Sequence, residues 1–87
     1  MLSIDSIGSG TNGQIANYGR IWGYNLMLIT ADNSIYNEDI DGTGNGGQIV
    51  RHHSSTYPGT GSLLINSGSH VFNRNDGLIA NLSLIHI

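Results

Sequence analysis

One formula recurs along this chain: a pair of residues with an apolar lead, an Asn, a polar gap, then Gly-x-Ile. It stands as Ile35-Tyr36-Asn37 before Gly47-Gln48-Ile49, and again as Val71-Phe72-Asn73 before Gly77-Leu78-Ile79. A compressed copy runs from Gly13 to Ile21 through Asn17 and Gly19. Upstream of the two full copies lie further alternating residues, with Leu26 and Leu28 matched to Leu63 and Ile65. A repeated unit of this kind cannot cover its own apolar face, and it does so against its neighbours in a stack. The expected architecture is an all-β, right-handed parallel β-helix of a few rungs. A small Greek-key or sandwich domain with antiparallel hairpins is the competing fold.

The local signals agree with short strands. The apolar clusters "GRIW", "LMLI", "SIY", "QIV", "SLLI", "HVF" and "GLIA" are each a few residues long and bounded by Gly, Asn, Asp or Ser. No segment sustains apolar residues at helical spacing for three turns, and Ala, Glu and Lys are scarce or absent. A coil of short strands must bend at each corner. Asn tolerates the left-handed region and bonds local backbone, while Gly enters that region without steric cost. Asn17, Asn37 and Asn73, with Gly13, Gly19, Gly47 and Gly77, are therefore the expected turn residues. Where bends align from rung to rung, the Asn amides can stack and satisfy one another. In the third copy Val71-Phe72 reads as strand, Asn73 to Asp76 as the bend, and Leu78 to Ala80 as the next strand.

Two stretches break the regular spacing, Glu38 to Gly47 and Arg51 to Gly61. Both are dense in turn formers and read as loops leaving a rung; Pro58 would interrupt a central strand. The terminal "LSLIHI", 82–87, matches one reading frame of a transposon mosaic-end adapter. It is read as a cloning or assembly scar, with an ordinary apolar strand as the alternative, and on the scar reading 1–81 is a repeat fragment whose natural frame continues past Asn81. The glycosylation-type triplet Asn81-Leu82-Ser83 crosses that join and carries no weight.

Charge narrows the function classes. With three basic residues, six acidic ones and a net charge of −3, the chain lacks the basic footprint that phosphate backbones demand, so no nucleic-acid partner is expected. The apolar runs are far shorter than the roughly 18 residues of a membrane span. Without cysteine there is neither a disulfide framework nor a Cys-based zinc site.

Constellations that could carry chemistry are sparse. Asn37, Asp39 and Asp41 alternate like the first ligands of a calcium loop, but neutral Gln48 stands where a bidentate carboxylate would close it. This is a weak calcium candidate, and a solvated acidic loop is the better reading. His52 and His53 are neighbours that a strand would point to opposite faces, so with His70 they read as surface histidines rather than metal ligands. Ser9 lies in "GSG", which lacks the nucleophile-elbow spacing. Asp39 and Asp41 are the close carboxylates that a polysaccharide-cleaving site would use. Tyr18, Trp22, Tyr24, Tyr36, Tyr57 and Phe72 could stack on sugars, though aromatics in small β-proteins more often cover core edges. No catalytic residue and no cofactor is assigned.

The stretches "GQIANYGRI", "NLMLITADNSIYN" and "SLLINSGSHVFNRNDGLIAN" resemble the repeats of filamentous-haemagglutinin-like exoproteins of two-partner secretion and contact-dependent inhibition systems, over most of Gly10 to Asn81. The two irregular loops depart from the family's even spacing and would also suit a phage tail fibre or tailspike. The resemblance implies a right-handed parallel β-helix at the bacterial cell surface or outside the cell, acting as an adhesive or toxin-delivery stalk. The partners it implies are neighbouring rungs of a longer protein and a host-cell surface glycan or protein.

Overall fold

The computed structural model describes residues 2–24, 26–42, 44, 46–52 and 62–81. Among these residues nine short strands wind through three coils. The first coil holds β1 (Leu2–Ser6), β2 (Ile15–Asn17) and β3 (Arg20–Gly23); the second holds β4 (Met27–Ala31), β5 (Ile35–Glu38) and β6 (Gln48–Arg51); the third holds β7 (Leu63–Ser67), β8 (Val71–Arg74) and β9 (Leu78–Asn81). Equivalent strands of successive coils pair to give three three-stranded sheets, β1-β4-β7, β2-β5-β8 and β3-β6-β9. Every one of these pairings is parallel. The fold is thus a small parallel β-helix, and the antiparallel sandwich is excluded for the described residues.

The register places like on like. Ile15, Ile35 and Val71 form one inner column, and Ile21, Ile49 and Ile79 another. The first sheet adds Leu2, Met27 and Leu63, then Ile4, Ile29 and Ile65. Met27, Ile29, Ala31, Ile35 and Ile49 of the middle coil are fully or almost fully buried. Leu2, Ile15 and Ile21 below them and Leu63, Ile65 and Ile79 above are only partly covered. Each fully buried Ile or Met contributes about 1.5–3 kcal/mol of hydrophobic stabilisation. The core is therefore complete where a coil lies on both sides, as it does for the middle coil among the described residues.

Two sequence expectations about the strands need correction. Leu26 and Leu28 do not pair with Leu63 and Ile65: the partners are Met27 and Ile29. Because strand side chains alternate, this one-residue slip decides which set faces the core, and Met27 and Ile29 are the fully buried ones. Asn73 belongs to β8 rather than to the bend; the left-handed residues are Asn75 and Asp76, at φ 51° and 63°. The first coil also contains β1 ahead of the region carrying the repeat, and an insertion at 7–14 with a short 3-10 turn at Gly10–Gly13.

The corners absorb all irregularity. The connection from β5 to β6 takes residues 39–47, where the equivalent corners take only 18–19 and 75–77. Glu38 and Arg51, the first residues of the two expected loops, still belong to strands. Most of the second loop, with His53, Tyr57 and Pro58, and the whole of 82–87 lie outside the described residues.

Candidate functional site, the stacked side-chain ladders

The inner ladder starts from the three repeated asparagines, which share one register column, Asn17, Asn37 and Asn73. Asn17 Nδ2 donates to Asn37 Oδ1 at 2.8 Å, and Asn37 Nδ2 donates to Asn73 Oδ1 at 2.8 Å. Each amide also spans the bend of its own coil. Asn17 Nδ2 reaches the Gly19 carbonyl at 3.2 Å, Asn37 Nδ2 reaches that of Gly47, and Asn73 Nδ2 reaches that of Gly77 at 2.9 Å. The first two continue to the coil above, Asn17 to the Gln48 carbonyl at 2.9 Å and Asn37 to the Leu78 carbonyl at 3.2 Å. An Asn at the end of a strand thus satisfies carbonyls at a corner where the backbone ladder is interrupted.

Glycine makes the close approach at that corner possible. Gly47 has φ 63°, and a Cβ there would overlap the Glu38 carbonyl carbon and the Asp39 nitrogen. At Gly77 a Cβ would meet the Asn73 side-chain oxygen, so the ladder itself demands a residue without one. Gly13 and Gly19 do not have left-handed φ; Gly13 is buried in the 3-10 turn and Gly19 has open space around its Cα.

A second set of stacks runs along the outside. Tyr36 and Phe72 are register partners, and their rings lie 5.1 Å apart and 15° from parallel. The Arg74 guanidinium sits 5.4 Å from both ring centroids and pairs with Glu38 at 3.4 Å. On the third sheet Arg20 lies 4.9 Å from the Trp22 ring, and the Trp22 indole N–H donates to Gln48 Oε1 at 3.1 Å. Trp22 also meets His52 edge-on at 5.0 Å, with Tyr24 tilted against the same imidazole at 5.9 Å. Such pairs contribute about 0.5–1.5 kcal/mol each beyond their buried area, so the rings join coil to coil. Tyr18 is left exposed.

The candidate chemical residues are not brought together. Asn37 is committed to the ladder through both its oxygen and its nitrogen. Asp39 is buried, its Oδ2 accepting from the Gly44 N–H at 2.7 Å and its Oδ1 facing no donor, whereas Asp41 is exposed. Asp39 and Asp41 therefore do not present a pair of carboxylates to one solvent-facing surface. His70 packs against Phe72 at 5.5 Å, and His52 lies in the Trp22 and Tyr24 cluster. No group of three or more His, Asp or Glu suited to a metal ion occurs among the described residues. A shallow groove of about 290 Å³ lies along Thr30 to Asp32 and Asn66 to Gly68, walled by short polar side chains and backbone.

Sequence reasoning missed several structural partners. Arg51 is fully buried at the end of β6, donating from Nη1 to the Tyr24 carbonyl at 3.1 Å and from Nε to the Asn81 side chain. Ser67 Oγ joins two coils by meeting the carbonyls of Asn33 and His70 at 2.6 and 3.0 Å. Asp32 Oδ2 accepts from the Gly8 N–H at 2.9 Å and ties the first insertion to the second coil. Apart from Ser67 with His70, none of these lies near its partner in sequence, so a shared position in the coil was the only signal for them. Comparison with protein-family models, with curated proteins and with solved structures returns no match.

Proposed function

We propose that the chain is a structural repeat module of a secreted or surface-exposed bacterial exoprotein, the coil-stack section of an adhesive or toxin-delivery stalk. One observation carries the reading: the recurrent polar and aromatic side chains are engaged with the coil above or below. Asn17, Asn37 and Asn73 bond one another, Tyr36 stacks on Phe72, and Trp22 bonds Gln48. Residues spent this way lengthen and stiffen a stack, and they are not free to act on a substrate. The resemblance of the repeats to those of filamentous-haemagglutinin-like exoproteins supports the same role. On this reading the module works without a cofactor or catalytic residue. Its first partners are neighbouring coils of the same protein, and its far target is a host-cell surface glycan or protein met by another part of the stalk.

The test is to recover the coding sequence that flanks this segment in its source DNA. Further in-frame coils, each with an Asn that extends the column of Asn17, Asn37 and Asn73, are the expected result. A flanking sequence without such coils, leading instead into a compact enzymatic domain, overturns the proposal.

A further inference from the structure

The corner between β5 and β6 holds a carboxylate that the protein leaves half-satisfied, and we propose that it binds a calcium ion together with the main-chain carbonyl of Tyr18. The ion has a structural task, which goes beyond the stalk role proposed above and does not rest on it. Asp39 is 3% exposed. Its Oδ2 accepts from the Gly44 N–H at 2.7 Å, which fixes the orientation of the carboxylate, while Oδ1 is buried and faces no donor. Buried charges in proteins are paired or coordinate metals. The three arginines are engaged elsewhere: Arg74 pairs with Glu38, Arg51 donates to Tyr24 and Asn81, and Arg20 lies over Trp22. A cation from solution completes the pair.

A second oxygen faces the same place. Gly46 is buried, and a Cβ built on it would overlap the Tyr18 carbonyl oxygen and lie 3.5 Å from Asp39 Oδ1. The two oxygens therefore converge on the side of Gly46 that carries no side chain. Calcium takes six to eight oxygens at about 2.3–2.6 Å, with carboxylates, main-chain carbonyls and water among them, and it tolerates irregular geometry where magnesium demands a near-ideal octahedron. Water supplies the remaining positions from the side of Gly42 and Gly44, which are exposed. This is not the alternating Asn37, Asp39 and Asp41 set of the sequence; of those, Asp39 alone takes part. The two ligands belong to different coils, Tyr18 lying between β2 and β3 and Asp39 directly after β5. An ion held by both ties the 39–47 insertion to the coil below it.

The test uses the full 87-residue protein. A site with a single carboxylate belongs at the weak end of protein calcium sites, with a Kd of about 1 mM. Calcium chloride at about 10 mM should then raise the ratio of folded to unfolded chain about tenfold, equivalent to about 1.4 kcal/mol, and lift the melting temperature by roughly 6–11 °C. Sodium chloride at matched ionic strength is the blank for general screening. Asp39→Asn keeps an oxygen for the Gly44 N–H but loses the charge, and it should show no rise beyond the blank. Asp76→Asn makes the same change of charge at an exposed corner and should respond as the parent chain does. Terbium, a luminescent stand-in for calcium, should emit when Trp22 and the tyrosines are excited, and excess calcium should abolish that emission; Asp39→Asn should give none. No calcium-specific rise in the parent chain, or an equal rise in Asp39→Asn, overturns the inference. The parent chain alone decides the first of these, so the inference stays testable even if a variant fails to fold.

Discussion

Replacing Asn37 with Ala removes the centre of the ladder, and the cost can be worked from its partners. The side chain is fully buried; its oxygen accepts from Asn17, and its nitrogen serves Asn73, the Gly47 carbonyl and the Leu78 carbonyl. Some partners keep other bonds: Asn17 retains Gly19 and Gln48, and the Gly47 carbonyl retains the Leu78 N–H at 2.8 Å. Counting about three net interactions at about 1 kcal/mol each gives a loss of roughly 3 kcal/mol. Asn73 is exposed and loses one ladder bond plus its own bend, with water able to replace both, so Asn73→Ala should cost about 1 kcal/mol. A chain of 87 residues, at about 0.05–0.15 kcal/mol per residue, has a total of roughly 4–13 kcal/mol. Asn37→Ala therefore removes a quarter or more of the stability, and at about 4–8 °C per kcal/mol lowers the melting temperature by roughly 12–24 °C. Asn37→Asp should be worse, because a carboxylate would face the Gly47 and Leu78 carbonyl oxygens in a buried site. Thermal melts and urea titrations followed by circular dichroism and Trp22 fluorescence measure the series. Equal losses at Asn37 and Asn73 would refute the reasoning that the buried centre of the ladder differs from its exposed end.

Three further outcomes are expected from the same melts. Ile49→Ala in the middle coil should cost about 2–5 kcal/mol, and Ile79→Ala above it about half as much, because the upper residue is already part-exposed; equal costs would mean that the end coils are covered in solution. Gly47→Ala should cost more than about 2 kcal/mol through its left-handed φ and the Glu38 and Asp39 backbone, while Gly44→Ala, at φ 79° in open space, should cost about 1 kcal/mol. Asp39→Asn should be neutral or stabilising by about 1 kcal/mol, since Oδ1 is buried without a donor and the remaining oxygen can still accept from Gly44; a loss above about 1 kcal/mol would point to a favourable interaction of the carboxylate.

How much could be read from the residues depended on whether a segment carried its own position marker. In β2, β5 and β8 the Asn, and before β3, β6 and β9 the Gly, fix each residue's place in the coil, so Ile15, Ile35 and Val71 align without ambiguity. The run "NLMLI" has no such marker and alternates apolar with apolar, so either parity satisfies the pattern and the expected register fell one residue short of Met27 and Ile29. The strand Leu2–Ser6 escaped notice for the same reason, having no Asn and Gly pair to announce its bend. At the candidate site, the Asn column was legible because it repeats. Its partners were not, since Arg51 with Asn81 and Asp32 with Gly8 occur once each and meet only through the winding of the chain.

Extra residues leave the first coil at 7–14 and the second at 39–47, yet the columns on either side stay in step. Length and shape are thereby decoupled: the wall counts only the residues that return to it. Foreign peptides grafted at these two points would leave different corners of different coils, making the chain a small pegboard for displaying sequences that have no fold of their own.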